Sequence, residues 1–219
     1  MVSIWVLLAK FLQPTPATEH SGHTYPSLYL QIVSATSALV RNRRDLVAAS
    51  IPHLALILCR LVSALSSPRT NLGRKQGDIV ASSLPGWVAS AEPLGEAEAK
   101  ALARLLTALT TKTVLRSRLG GFASSTSGRG LEAEAQSLAK AFSKHAPSVL
   151  LAYIRAVNDP LCFVSRGVRD ELAPGLYALC GMMGEKGRDS TTPVLDNGGK
   201  MILTTLWAAY QKQRYVGQG

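Results

Sequence analysis

Apolar residues return every three or four positions along almost the whole chain, a period that places them on one face of a helix and on neither face of a strand. Tyr25, Leu28, Ile32, Thr36 and Leu39 form one such stripe, and Val47, Ile51, Leu54, Leu58, Leu61, Val62 and Leu65 form the next. A third comprises Leu102, Leu105, Leu106 and Leu109. A fourth runs through Leu131, Ala135, Leu138, Phe142, Val149, Leu150, Tyr153 and Val157, with Pro147 imposing a break or kink near Ala146. A fifth carries Val168, Leu172, Leu176 and Leu179, and the last carries Ile202, Leu203, Leu206, Trp207 and Tyr210. Asp196 or Asn197 suits the start of that last helix, and Lys212 and Arg214 suit its negative end.

No segment alternates apolar and polar residues over a strand's length, and Asn197-Gly198 precedes a helix rather than joining two β-rich runs. The expected fold is all-α: packed helices forming a bundle or a short α-solenoid, with roughly 60% helix and no sheet. No fixed-period repeat is visible. Residues 66–78 and 120–130 are rich in Ser, Gly and basic side chains and read as flexible loops. Residues 1–24 read as an apolar segment followed by a loop, and residues 25–217 as the helical domain. The opening MVSIWVLLAKFL is too short to span a bilayer and has no basic residues before its apolar part, so it reads as a core helix or the start of a fragment, and no membrane segment is expected.

The chain is 47% hydrophobic and 17% charged, which suits a buried core and excludes a disordered tail. Twenty-four Lys and Arg residues against 14 Asp and Glu leave a formal charge of +10. That excess fits an anionic partner, such as RNA, an acidic protein or an acidic membrane face, and equally a solvated basic surface. Cys59, Cys162 and Cys180 are odd in number, lack CxxC spacing and sit in apolar runs, as buried free thiols of a reducing compartment do.

The basic residues cluster. Arg41, Arg43 and Arg44 sit in VRNRRDL, between two helices, where guanidinium forks could meet phosphate or carboxylate oxygens, or could cap the preceding helix and pair with Asp45. Arg69, Arg74 and Lys75 form a second patch and Arg116, Arg118 and Arg129 a third, each either a contact or a solvated loop. No aromatic residues interleave with them, unlike a base-stacking platform. His20 and His23 have metal-ligand spacing but no Cys nearby and read as a solvated loop, and His53 and His145 stand alone. Asp159, Asp170, Glu171, Glu185 and Asp189 show no acid–base pairing. GRKQG and GGFASSTSGRG lack both a preceding strand and a phosphate-loop ending. No catalytic residue, cofactor or metal site is assigned.

The C-terminal third reads HAPSVLLAYIRAV, then VRDELAPGLYALCGMM, then LDNGGKMILTTLWAAYQKQRY. It resembles the C-terminal domain of the unhealthy ribosome biogenesis protein two family, also called the nucleolar 27S pre-rRNA processing family. Arg169, Leu172, Pro174, Gly175, Leu176, Tyr177, Ala178 and Leu179 match one block of the family pattern, and Leu195, Asp196, Gly199, Lys200, Leu206 and Tyr210 match the closing helix. LVRNRRDLVAASIPHLALILCRLVSAL and EAKALARLLTALTT match more loosely, so the resemblance spans roughly residues 25 to 215. Ala208 and Ala209 stand where the family carries acidic residues. Family members are far longer, so the resemblance implies a C-terminal piece, a split gene model or a reduced relative, and a non-enzymatic scaffold of nucleolar large-subunit precursors. It also implies partners: a larger helical scaffold protein and an RNA helicase, with pre-rRNA as a possible direct ligand. Read for its physics, the Pro174-Gly175 pair should break its helix and turn Leu176 and Tyr177 into the core, against Leu206 and Trp207.

Overall fold

The computed structural model describes residues 2–16, 23–89, 91–111 and 138–216. Within them the chain forms α1 (Val2–Phe11), α2 (Pro26–Asn42), α3 (Arg44–Ala48), α4 (Ile51–Ser63), β1 (Ser67–Pro68), α5 (Arg74–Ser83), α6 (Glu96–Ala108), a helical stretch at residues 138–142, α7 (Ala146–Asn158), β2 (Cys162–Phe163), α8 (Arg166–Thr191), a 3₁₀ turn (Thr192–Val194) and α9 (Asn197–Val216). The all-α expectation holds. The departures among the described residues are a ladder of two residues a side, Ser67 opposite Phe163 and Pro68 opposite Cys162, and a single antiparallel bridge between Pro14 and Pro85. The loop at 120–130 and Leu131, Ala135, Arg116, Arg118, Arg129 and His20 lie outside the described residues.

The periodic stripes become the core. Every predicted apolar position of α4, α6 and α8 is buried, from Val47 and Ile51 to Leu176 and Leu179. In α2 the expected face is turned by about one position: Tyr25 is exposed, whereas Tyr29, Val33 and Val40 are buried beside Ile32 and Thr36. The Tyr29 hydroxyl decides this register, because it donates to the Leu61 carbonyl at 3.1 Å inside the core. Burial, with a smaller push from Glu98, raises the Tyr29 hydroxyl well above its usual pKa. Pro147 lies in the first turn of α7, where a missing N–H costs nothing, and the helix before it ends at residue 142 as expected.

The main surprise is α8. It continues through Pro174 for 26 residues, and its one non-helical residue is Gly184, at φ 65°. Pro174 therefore does not break the helix. Its missing N–H forfeits one hydrogen bond, that to the Asp170 carbonyl, while α6 and α7 hold the helix on its other sides. The glycine after it has a separate purpose. A Cβ on Gly175 would stand 2.8 Å from the Ala103 Cα and 2.9 Å from Leu106 Cδ1, so the α6 and α8 backbones meet here in near contact. Leu176 is buried at this crossing and Tyr177 is half-buried.

Around the α6–α8 pair, α2 covers α6, α7 covers α8, α4 covers α7, and α1 covers α4. The apolar start of the chain is thus part of the domain: Trp5 is buried and its Nε1 donates to Ser50 Oγ at 2.8 Å. Half of the expected loop at 66–78 is ordered structure. Ser67 and Pro68 pair with the segment before α8, and α5 begins at Arg74 after Gln76 Oε1 accepts the Gly73 N–H at 3.2 Å. Asp196 caps α9, accepting the Gly199 N–H at 2.8 Å, and it also accepts from Asn158 Nδ2 at the end of α7. Those hydrogen bonds hold its carboxyl below the usual range, first through Gly199 and then through Asn158.

Two substitutions test this packing. Gly175→Ala gains up to about 1 kcal/mol of helix propensity and loses about 1–3 kcal/mol to overpacking against the Ala103 backbone, so the net effect is a lower melting temperature. Gly77→Ala, where a Cβ meets nothing within 4 Å, gains the propensity alone and raises it. Trp207→Ala removes a buried ring from the α8–α9 side of the core and costs about 3–5 kcal/mol, while Gln211→Ala, on the exposed face of α9, changes little. Thermal unfolding followed by circular dichroism ranks the four. Wild-type stability for Trp207→Ala would mean that its ring is not a core element.

Candidate docking groove

The helix joint at 41–44 is where the chain's charge gathers into a shaped site. The Arg43 N–H donates to the Leu39 carbonyl at 2.9 Å and closes α2, and the extended Arg43 backbone then turns the chain into α3. That turn points Arg41 and Arg44 towards α6. Along α6, Lys100, Arg104 and Thr107 follow at helical spacing and so share one face, with Ala103 and Ala108 beside them and Thr111 just past the helix end. From α8 come Glu171 and Pro174, one turn apart. Together these residues line an open groove of about 520 Å³. Its floor is small and largely apolar (Ala103, Ala108 and Pro174), and its rim carries four cations against the single carboxylate of Glu171. Lys100 Nζ approaches that carboxylate at 3.5 Å, a partly exposed pair of small energetic weight.

Arg44 is the unusual member. Its Nη2 donates to the Thr111 carbonyl at 2.7 Å and so ties the α2–α3 joint to the segment just past α6. Its Nε and Nη1 are shielded from solvent and have no hydrogen-bond partner. Leaving buried donors unmatched costs about 1–3 kcal/mol each. Burial also pulls the guanidinium's pKa below its ordinary value. The joint therefore holds a charge at a cost to stability, directly beside the groove.

The other sequence candidates do not converge here. Arg43 pairs with Asp45 at 3.4 Å on the surface and does not line the groove, and its hydrogen bond is the main reason the Asp45 carboxyl sits below its usual range. Arg69 serves the two-residue ladder, its Nε donating to the Cys162 carbonyl at 3.1 Å. Arg74 and Lys75 stand exposed in the first turn of α5. His23 meets Glu92 at 3.3 Å. His53 is exposed, and His145 precedes α7 near the Phe142 ring. Tyr177 borders a shallower hollow with Gly181, Met182 and Tyr210. Trp207 is buried beneath the Arg188 guanidinium, 5.2 Å from its ring centroid, and meets Tyr210 edge-on. Lys100 and Arg104 are the charged groove residues that the sequence reading passed over, and it weighed Glu171 only as a catalytic acid or base. The four-residue spacing of Lys100 and Arg104 was a usable signal, but nothing local placed that face opposite Arg41.

Among the described residues, no group of three His, Cys, Asp or Glu side chains is placed to hold a metal ion. Four of the carboxylates between 150 and 190 have structural partners: Asp159 accepts from the Leu161 N–H, Asp170 lies near Arg166, Glu171 lies near Lys100, and Asp189 accepts from Arg188. Burial pushes the thiols of Cys59 and Cys162 up to about 11 and that of Cys180 up to about 12, so they stay protonated at neutral pH. No helix among the described residues is long and apolar enough to cross a membrane.

Comparison with protein families matches residues 1–218 to the Urb2/Npa2 family. The chain belongs to that family. The match takes in α1 as well as the blocks from residue 25 onward, in keeping with the docking of α1 on α4. Urb2/Npa2 is a ribosome biogenesis family, not one known for enzymes, and membership gives this chain a role in ribosome biogenesis and points to the nucleus. No curated protein and no solved structure gives a significant match.

The groove's chemistry predicts an unusual mutational outcome. Arg44→Met keeps most of the aliphatic stem and removes a desolvated charge with two unmatched donors, at the cost of the Thr111 hydrogen bond. Its stability should equal or exceed that of the wild type in a denaturant titration. A loss greater than about 2 kcal/mol would make the guanidinium a structural tie and nothing more.

Proposed function

We propose that this Urb2/Npa2 protein is a non-enzymatic helical scaffold in the nucleolar assembly of large ribosomal subunit precursors, and that it supports processing of 27S pre-rRNA through protein–protein contacts. Its partners in this reading are other early assembly factors, among them a larger helical scaffold protein and an RNA helicase. The observation that carries the reading is the groove between α2, α6 and α8. It is concave and apolar-floored, with a charged rim, as surfaces that receive a segment of another protein are. The family's place in ribosome biogenesis supplies the setting. A second reading is a basic module that binds pre-rRNA directly. Four rim cations favour it, but none of the described residues that line the groove is an aromatic on which a base could stack.

The test is affinity purification of the tagged protein with sedimentation, mass spectrometry and RNA crosslinking. The protein should travel with large-subunit precursors and co-purify assembly factors, and its depletion should lower large-subunit rRNA relative to small-subunit rRNA. Arg41→Ala with Arg44→Ala should weaken this association at physiological salt while leaving the circular dichroism spectrum unchanged, and Arg43→Ala should have little effect. Sedimentation of the wild-type protein away from all precursors would overturn the scaffold reading. RNA crosslinks concentrated on the rim arginines would favour the second one.

A further inference from the structure

We infer that the groove between α2, α6 and α8 is the docking site for an acidic, amphipathic segment of a partner protein, with Arg44 as the residue that reads its carboxylates. The inference rests on the scaffold reading and deepens it by naming the place and the chemistry of the contact. Three observations on different elements converge.

The first is charge. Arg41 and Arg44 from the α2–α3 joint face Lys100 and Arg104 from α6 across the groove, and the only acid among the lining residues, Glu171, already has Lys100 nearby. Among the described residues these like charges outnumber their matching anions four to one, so a ligand bearing two or more carboxylates would relieve their mutual repulsion.

The second is Arg44 itself. Two of its guanidinium nitrogens are buried and unpartnered. A carboxylate entering from the groove would supply the missing acceptors after a small swing of the side chain, and the planar fork suits a carboxylate's two oxygens.

The third is the floor. Ala103, Ala108 and Pro174 are small and apolar, and Thr107 is exposed on the α6 face with its hydroxyl turned back to the Ala103 carbonyl at 2.9 Å. A phosphodiester backbone offers such a floor nothing to bury. An amphipathic helix or strand offers leucine-sized side chains between its acids. The floor therefore selects protein over nucleic acid, and the rim selects acidic over neutral protein.

The test uses the full chain and a fluorescently labelled synthetic peptide with leucines on one helical face and glutamates on the other. Three other probes accompany it: the same peptide with lysines for glutamates, the same peptide with glutamines for leucines, and a single-stranded RNA oligonucleotide. Fluorescence anisotropy should show the leucine–glutamate peptide binding best, and more weakly as salt rises. Arg41→Glu with Arg104→Glu should weaken it at least tenfold. Thr107→Trp, on an exposed position that fills the floor, should do the same while keeping the rim charges. Melting curves establish that the variants fold. A wild-type chain that does not bind the peptide overturns the inference. So does binding indifferent to both variants, or RNA binding that is tighter than peptide binding and depends on the same arginines. The variants are also followed into pre-ribosomal particles. If peptide binding fails while the wild-type protein still joins the particles, the groove assignment falls and the scaffold reading stands. If the wild-type protein joins no particle, the scaffold reading falls whatever the peptide does.

Discussion

The near contact between Gly175 of α8 and Ala103 of α6 is the constraint on which the rest of the arrangement depends. Two helices approach this closely only where one lacks a Cβ and the other carries a small side chain. The approach lets Leu102, Leu105 and Leu106 interleave with Leu172, Leu176 and Leu179 as a single apolar layer. On one side of this pair α2 closes over α6, and on the other α7 closes over α8, with α4 packed in turn on α7. The same approach places Pro174 at the surface edge of the crossing, beside Ala103, where it forms one wall of the groove. Packing and site are thus two sides of one helix crossing.

Polar groups at the element ends make the arrangement specific. Hydrophobic burial is non-directional and sets the rotation of a helix only coarsely. The Tyr29–Leu61 and Trp5–Ser50 hydrogen bonds are directional, and each matches a buried polar group that would otherwise be left unsatisfied. Asp196 does comparable work at the surface by tying the end of α7 to the start of α9. Arg44 runs the other way. It satisfies the Thr111 carbonyl but leaves two of its own donors unmatched, a local conflict of the kind that marks functional positions more often than structural ones.

Membership of the Urb2/Npa2 family and the shape of the groove bear on function at different levels. The family places the chain in ribosome biogenesis. The groove concerns how such a protein would act: a rigid helical body with a charged, apolar-floored surface is suited to holding another chain in place. Its shielded thiols and its carboxylates held in turns and ion pairs serve the fold.

The sequence by itself determined the helices, because their stripes are local: the faces of α4, α6 and α8 could be read position by position from the spacing of leucines. It determined the break before Pro147 and the Asp196 cap for the same reason, since each acts within one turn. It also carried the family, whose PGLYAL block and closing helix stand in the chain in order. Only the tertiary structure decided what Pro174-Gly175 is for. Local physics says that such a pair ends a helix, but helices on either side keep α8 helical through Pro174, and the glycine answers to a backbone far away in sequence. The same holds for α5, which sits in a stretch with the composition of a loop and shows only Val80 buried. It holds too for the groove. Arg41 and Arg44 were visible as a cluster, but the partners that give them meaning, Lys100, Arg104 and Glu171, meet them only when α2 and α8 pack on α6, and no local pattern encodes that meeting.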